Sequence, residues 1–92
     1  MTKKLNFLRK KIDEIDEQIL KLLSQRMKHV FKVGELKKKR GIIPLDSKRW
    51  KKVLDSKLKL AKNLELDKKM IKDIYERIHE AALELELLMR KK

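Results

Sequence analysis

Apolar residues recur along the first forty positions at spacings that alternate between three and four residues. This repeat of 3.5 residues is typical of a helix that packs along a coiled-coil-like seam, and it predicts one long helix over residues 4–40. Arg26 and His29 interrupt the seam, and Gly41 is a favourable residue just after the helix end. The apolar seam residues are Leu5, Leu8, Ile12, Ile15, Ile19, Leu22, Val33 and Leu36.

The rest of the chain predicts two shorter helices. Asp46 or Ser47 can cap a helix over residues 47–62, and Asp67 can cap a third over residues 68–90. Both helices carry an apolar stripe with helical periodicity. The stripes contain Trp50, Val53, Leu54, Leu58 and Ala61 in the second helix, and Ile71, Ile74, Tyr75, Ile78, Ala82, Leu85 and Met89 in the third. We therefore expect an all-α protein with three helices per chain.

The first helix is too long for one chain of this size to cover. At 1.5 Å per residue it extends roughly 55 Å. A compact domain of 92 residues has a diameter of about 30 Å. Because a second copy of the same helix is the simplest partner for the seam, we predict an intertwined homodimer in which residues 1–92 form a single domain.

Composition removes several classes of function. The chain has no cysteine and two histidines, which excludes a disulfide scaffold and a cysteine nucleophile and leaves a zinc site short of ligands. A metal site is therefore not expected. Because no apolar run approaches the roughly 20 residues of a membrane span and no secretory apolar segment follows Met1, we expect a cytoplasmic protein without a membrane partner.

The charge of the chain is strongly basic, with 27 Lys and Arg against 14 Asp and Glu and a formal net charge of +13. The lysines are scattered through every segment, which favours only salt-sensitive, sequence-independent binding of nucleic acid, and no recognised nucleic-acid motif occurs. A non-catalytic basic dimer that binds nucleic acid is an alternative, but no nucleic-acid partner is expected. The six arginines are more informative, because a guanidinium is a preorganised fork for carboxylates or phosphates.

Arg26 lies in the seam, where an inward-facing charge is costly unless an anion compensates it. It can pair with a glutamate of the partner chain or form part of an anion site, and His29 can be a histidine of the core or its edge. Lys37 returns to within roughly 20° of the face of Arg26, so both can reach one small anion. Arg9 lies roughly 25 Å from Arg26 along the axis, so it can join that site only from the other subunit.

Four segments together resemble the all-helical class of chorismate mutase. They are residues 8–16 (LRKKIDEID), 22–26 (LLSQR), 33–37 (VGELK) and 44–46 (PLD), the last followed by Arg49. The resemblance covers nearly the whole chain. It implies a domain-swapped dimer of three-helix chains that converts chorismate to prephenate, in the route to phenylalanine and tyrosine, by an intramolecular Claisen rearrangement without metal or cofactor.

The resemblance also implies roles for individual residues. Chorismate is a dicarboxylate, and the implied binding groups are Arg26 and Arg49 of one chain with Arg9 of the partner subunit. The ether bond breaks ahead of C–C bond formation in the transition state. Lys37 and Glu86 are implied to stabilise the negative charge that develops on the ether oxygen, with Arg26 counted among the catalytic groups.

Glu86 stands where many members carry glutamine, and a carboxyl group can donate a hydrogen bond only when it is protonated. We therefore expect the rate to fall as the pH rises and Glu86→Gln to alter that profile. Partial burial of Glu86 favours its protonated form, and the charge of nearby Lys37 favours its ionised form. The sequence does not decide between the two. The alternative is an exposed glutamate that pairs with Arg90.

Two further positions differ from the usual family pattern. Trp50 stands where a glutamate usually binds the ring hydroxyl, and we expect it to pack on the apolar face of the second helix. Ala82 replaces a serine that often binds a substrate carboxylate.

Asp46 matches a position that binds the substrate hydroxyl, although we expect helix capping to be its main role. The Trp50 replacement keeps open an isochorismate-pyruvate lyase on the same scaffold, and a poorly active mutase is a further alternative.

Overall fold

The computed structural model describes residues 2–91, which form three α-helices and no strand. Helix α1 spans Thr2–Arg40, α2 spans Ser47–Asn63 and α3 spans Lys68–Arg90. The predicted all-α class with three helices is confirmed, and each predicted helix end agrees with the structure to within two residues. The predicted domain includes Met1 and Lys92, which lie outside the described residues.

Short-range hydrogen bonds fix where α2 and α3 begin. The Asp46 carboxylate accepts a hydrogen bond from the backbone N–H of Arg49 at 3.0 Å, so Asp46 rather than Ser47 is the cap of α2. Asp67 caps α3 in the same way and accepts from the backbone N–H of Met70 at 2.9 Å. Each cap satisfies an amide that the first turn of a helix would otherwise leave without a partner.

The residues that end α1 turn the chain back towards the side chain of Lys37. Gly41 has a φ of 68°, in the left-handed region that glycine adopts without strain. The N–H of Ile42 donates to the carbonyl of Lys37 at 2.8 Å, and that of Gly41 donates to Lys38 at 3.3 Å. These two bonds form a Schellman motif. The connection then brings Pro44 close enough for its carbonyl to accept a hydrogen bond from Nζ of Lys37 at 2.6 Å.

Helix α3 packs against both other helices, whereas α1 and α2 do not pack on each other in the described part of the chain. The molecule is elongated, with extents of 59, 27 and 14 Å and a radius of gyration of 17.0 Å. The predicted stripes of α2 and α3 face these contacts, except that Ile74 is 41% exposed. A single chain therefore builds only a thin core.

The first part of α1, residues 2–22, which we call its first half, projects beyond α3 and lacks a packing partner within residues 2–91. Six apolar residues on it, which we call the uncovered seam, have exposed fractions between 46% and 63%. They are Leu5, Leu8, Ile12, Ile15, Ile19 and Leu22. A contiguous exposed apolar face of this kind is typical of association surfaces. No described helix has a stretch apolar enough to cross a membrane.

Candidate active site

A cavity of about 310 Å³ lies where α1, the α1–α2 connection, α2 and α3 meet. Its polar lining consists of Arg26, His29, Lys37, Asp46, Arg49, His79 and Glu86, and its apolar lining consists of Val30, Val33, Pro44, Trp50, Val53 and Ala82. Residues from all three helices thus converge on one space. They include every site residue that the sequence predicts except Arg9.

Arg26 enters this cavity from α1 as an incompletely satisfied cation. Its Nη1 is shielded from solvent and has no hydrogen-bond partner in the described chain. Neither Arg26 nor Arg49 forms an ion pair with a carboxylate of residues 2–91. Since a buried donor without a partner is costly, the arrangement favours an anionic ligand at these guanidinium groups.

Lys37 and Glu86 form the most buried ion pair of the described chain. Nζ of Lys37 lies 3.0 Å from Oε1 of Glu86, and the two side chains are 21% and 10% exposed. Oε1 of Glu86 has no hydrogen-bond partner in the described chain, so the contact is an ion pair. Lys37 also donates a hydrogen bond to the carbonyl of Pro44 at 2.6 Å. Lys37 is therefore held from two sides at the cavity wall. The alternative of an exposed Glu86 paired with Arg90 is wrong.

Gly34 explains how α3 can bring Glu86 so close to α1. A Cβ atom at this position would lie 2.7 Å from Sδ of Met89 and 3.2 Å from Cγ of Glu86. Both distances are shorter than ordinary contacts, so only glycine permits this approach without displacement of α3 side chains. Helix α3 thus approaches α1 closely at this mid-helix glycine.

Arg9 and Asp46 stand apart from the three cavity cations. Arg9 is exposed on the first half of α1 and does not line the cavity of its own chain, consistent with its distance of roughly 25 Å along the helix from Arg26. Asp46 does line the cavity, but its carboxylate accepts the hydrogen bond that caps α2. Capping is thus its visible role.

The Trp50 indole packs against the imidazole of His79, across the contact between α2 and α3. Their ring centroids lie 4.1 Å apart and their planes are inclined by 12°. The expected packing of Trp50 on the apolar face of α2 is found, but sequence reasoning missed His79. A signal was present, because His79 precedes Ala82 by three residues and Glu86 by seven, which places all three on one face of α3.

Comparison with known proteins agrees with this geometry. The family model of chorismate mutase type II matches residues 8–87. A chorismate mutase of Methanocaldococcus jannaschii is 38% identical over 90 residues, which cover 96% of this chain and 91% of that protein. No solved structure matches the chain significantly.

Two longer relatives match over most of this chain. A bifunctional chorismate mutase/prephenate dehydratase of Aquifex aeolicus is 35% identical over 89% of it, and a T-protein of Enterobacter agglomerans is 33% identical over 85%. This chain spans only 24% and 21% of those two proteins. The family model and the 38% identity confirm the resemblance seen in the sequence: the chain belongs to the chorismate mutase type II family.

Proposed function

We propose that this chain is an isomerase that converts chorismate to prephenate, and that residues 1–92 act as one catalytic domain. Membership of the chorismate mutase type II family supports the reaction. The observation that carries the site assignment is the buried, unpartnered Nη1 of Arg26, in a cavity that Lys37 and Arg49 also line. A cytoplasmic location and the absence of a nucleic-acid partner remain predictions.

The charges that line the cavity suit a dicarboxylate once a second chain contributes. Three cations (Arg26, Lys37 and Arg49) face two carboxylates (Asp46 and Glu86), which leaves a net charge of +1 when histidines are neutral. The carboxylates are engaged by the α2 cap and by Lys37, so the two guanidinium groups are available to a ligand. Arg9 of the partner subunit would raise the net charge by one, to +2 with Glu86 ionised or +3 with Glu86 protonated, which is enough to balance two carboxylates.

The uncovered seam supports a homodimer with shared active sites. Its apolar side chains are about half exposed in the single chain, and burying them is favourable by about 25 cal/mol per Å² of apolar surface. An equivalent seam from a second copy is self-complementary under two-fold symmetry. Arg9 directly follows seam residue Leu8, so pairing of the seams would carry Arg9 to the other subunit.

The proposed mechanism rests on orientation and fixed charge. Arginines that hold both carboxylates bring the two reacting carbon atoms together in a chair-like geometry. The ether C–O bond breaks and a C–C bond forms within the same molecule, so no electron or proton has to enter or leave. Lys37 stabilises the negative charge that develops on the ether oxygen, and Glu86 can assist it only as a protonated acid, because an ether oxygen is purely an acceptor.

Product analysis tests this function against the lyase alternative. Purified protein is incubated separately with chorismate and with isochorismate, and prephenate, salicylate and pyruvate are measured. We expect prephenate from chorismate and no salicylate above the uncatalysed rate. The Arg26→Ala variant, purified in the same way, controls for a contaminating host enzyme. Release of salicylate and pyruvate from isochorismate, without prephenate from chorismate, would assign the chain to the lyase instead.

A further inference from the structure

His79 lines the cavity but takes no part in the chemistry proposed above. Neither of its ring nitrogens makes a hydrogen bond to another described residue. Its imidazole stacks on Trp50 with 4.1 Å between ring centroids and 12° between ring planes. A face-on stack uses the face of the imidazole and leaves its edge nitrogens available to a ligand.

The polar groups of chorismate show which of them the edge nitrogens of His79 could bind. Chorismate carries two carboxylates, one ether oxygen and one ring hydroxyl. The arginines suit the carboxylates, and Lys37 with Glu86 suits the ether oxygen, which leaves the oxygen of the ring hydroxyl without a hydrogen-bond donor. The carboxylate of Asp46 caps α2 through Oδ1 and can accept from the hydroxyl through Oδ2, but it cannot donate to the hydroxyl oxygen.

His79 also fits the hydroxyl better than the other histidine of the cavity does. His29 is exposed on α1, and no aromatic ring of the described chain stacks on it. His79 is half-buried between α2 and α3, and the indole of Trp50 fixes its ring plane. A neutral imidazole offers one donor and one acceptor nitrogen, and a hydroxyl can pair with either.

We infer that His79, held in place by Trp50, is a specificity-determining residue that hydrogen-bonds the ring hydroxyl of chorismate. The inference rests on the proposed mutase function. The ring hydroxyl takes no part in the bond that breaks or the bond that forms, so the contact is equally strong in the ground state and the transition state. Its loss therefore raises KM and leaves kcat nearly unchanged.

The test compares two substrates in matched variants. Wild type, His79→Leu and His79→Gln are assayed with chorismate and with the analogue in which hydrogen replaces the ring hydroxyl. We expect His79→Leu to lower kcat/KM for chorismate about tenfold, since it leaves the hydroxyl without a partner, and to change kcat/KM for the analogue less than about twofold. His79→Gln keeps a donor and an acceptor and should recover most of the loss.

Trp50 provides a second measurement, because it is the single tryptophan of the chain. In the wild type and the His79 variants, its fluorescence should report whether the protein is folded and whether a ligand reaches the stack. Trp50→Phe keeps an aromatic partner and should lower kcat/KM for chorismate less than Trp50→Leu does.

The outcomes separate the two proposals. An equal loss on both substrates, or no loss on chorismate, in a folded His79→Leu protein would overturn the role of His79 and leave the mutase function standing. A wild-type protein that forms no prephenate would refute the mutase function and the inference together.

Discussion

The two halves of α1 carry the same apolar repeat but have different surroundings. In the second half, α3 packs on the face that carries Gly34, where a Cβ would lie 2.7 Å from Sδ of Met89, although the seam residues Val33 and Leu36 are 47% exposed. In the first half, Ile12 and Leu22 are 57% and 63% exposed. The apolar repeat therefore shows that a face of α1 needs a packing partner. The length of α1 relative to the other two helices decides whether this partner can lie in the same chain.

The polar interruptions of the repeat occur only in the second half. Arg26 and His29 replace apolar seam residues where α2 and α3 close the cavity, whereas every seam position from Leu5 to Leu22 is apolar. The first half is thus suited to association and the second half to ligand binding. Arg9 lies in the first half and is proposed to link association to ligand binding, because it would bind the substrate in the cavity of the partner subunit.

The largest effect is expected where the first half should be buried by a second copy. Ile15→Asp would place an unpaired carboxylate in the dimer seam, at a cost of roughly 3 to 5 kcal/mol. We expect dissociation, loss of helix content and loss of activity, measured by sedimentation equilibrium, circular dichroism and prephenate formation. Lys10→Asp adds the same group on the opposite face of α1 and should leave the dimer intact. A dimeric Ile15→Asp protein would show that this seam is not the interface.

In the second half, removal of the partly buried cation Lys37 should slow catalysis strongly while the fold is retained. Lys37→Ala deletes the ammonium that lies 3.0 Å from Glu86, and we expect kcat to fall by a factor of about 10² to 10³. Lys38→Ala is the matched control, because Lys38 binds the exposed carbonyl of Met89 at 3.1 Å. Equal activities of the two variants would exclude Lys37 from the reaction.

A pH profile tests the acid role of Glu86. If Glu86 must be protonated to donate to the ether oxygen, kcat of the wild type falls as pH rises and that of Glu86→Gln stays level, because an amide donates at any pH. Glu84→Gln changes a carboxylate that is 65% exposed on the same helix and should keep the wild-type slope. Coincident profiles for wild type and Glu86→Gln would refute this role.

The smallest effect is expected from the close approach of α1 and α3. Gly34→Ala gains about 1 kcal/mol of helix propensity, but its Cβ would displace Met89 and press on Cγ of Glu86, 3.2 Å away. We expect the melting temperature to change little and kcat/KM to fall by a factor of about three to ten, because Glu86 is misplaced. Lys32→Ala, at an exposed position of the same helix, should change neither quantity. Unchanged activity in Gly34→Ala would show that the close packing is not needed for catalysis.

The helix ends were predictable because they depend on neighbours in sequence. Asp46 and Asp67 each cap the helix that follows, and Gly41 ends α1 through a local turn. Lys37 and Glu86 were identified by family resemblance, and the structure brings them into contact. The stack of Trp50 on His79 was not predicted, because it depends on how α2 and α3 cross rather than on either helix alone.

Exposure of single side chains was harder to predict than the helices that carry them. Ile74 fits the apolar stripe of α3 but is 41% exposed, because α1 and α2 cover other parts of that helix. Arg26 could be marked from sequence as an interruption of the seam. Its buried, unpartnered nitrogen became visible only when the surrounding helices were in place.

Subunit mixing tests the central claim, that each cavity of a dimer uses Arg26 and Arg49 of one chain and Arg9 of the other. Arg9→Ala and Arg26→Ala proteins, each inactive alone, are mixed in equal amounts and allowed to exchange subunits. A random mixture contains half heterodimers, each with one intact cavity, so about a quarter of wild-type activity should return. A mixture of Arg26→Ala with Arg49→Ala should stay inactive, because both substitutions affect the cavity of their own chain. If confirmed Arg9→Ala/Arg26→Ala heterodimers show no activity, the shared-site account is contradicted.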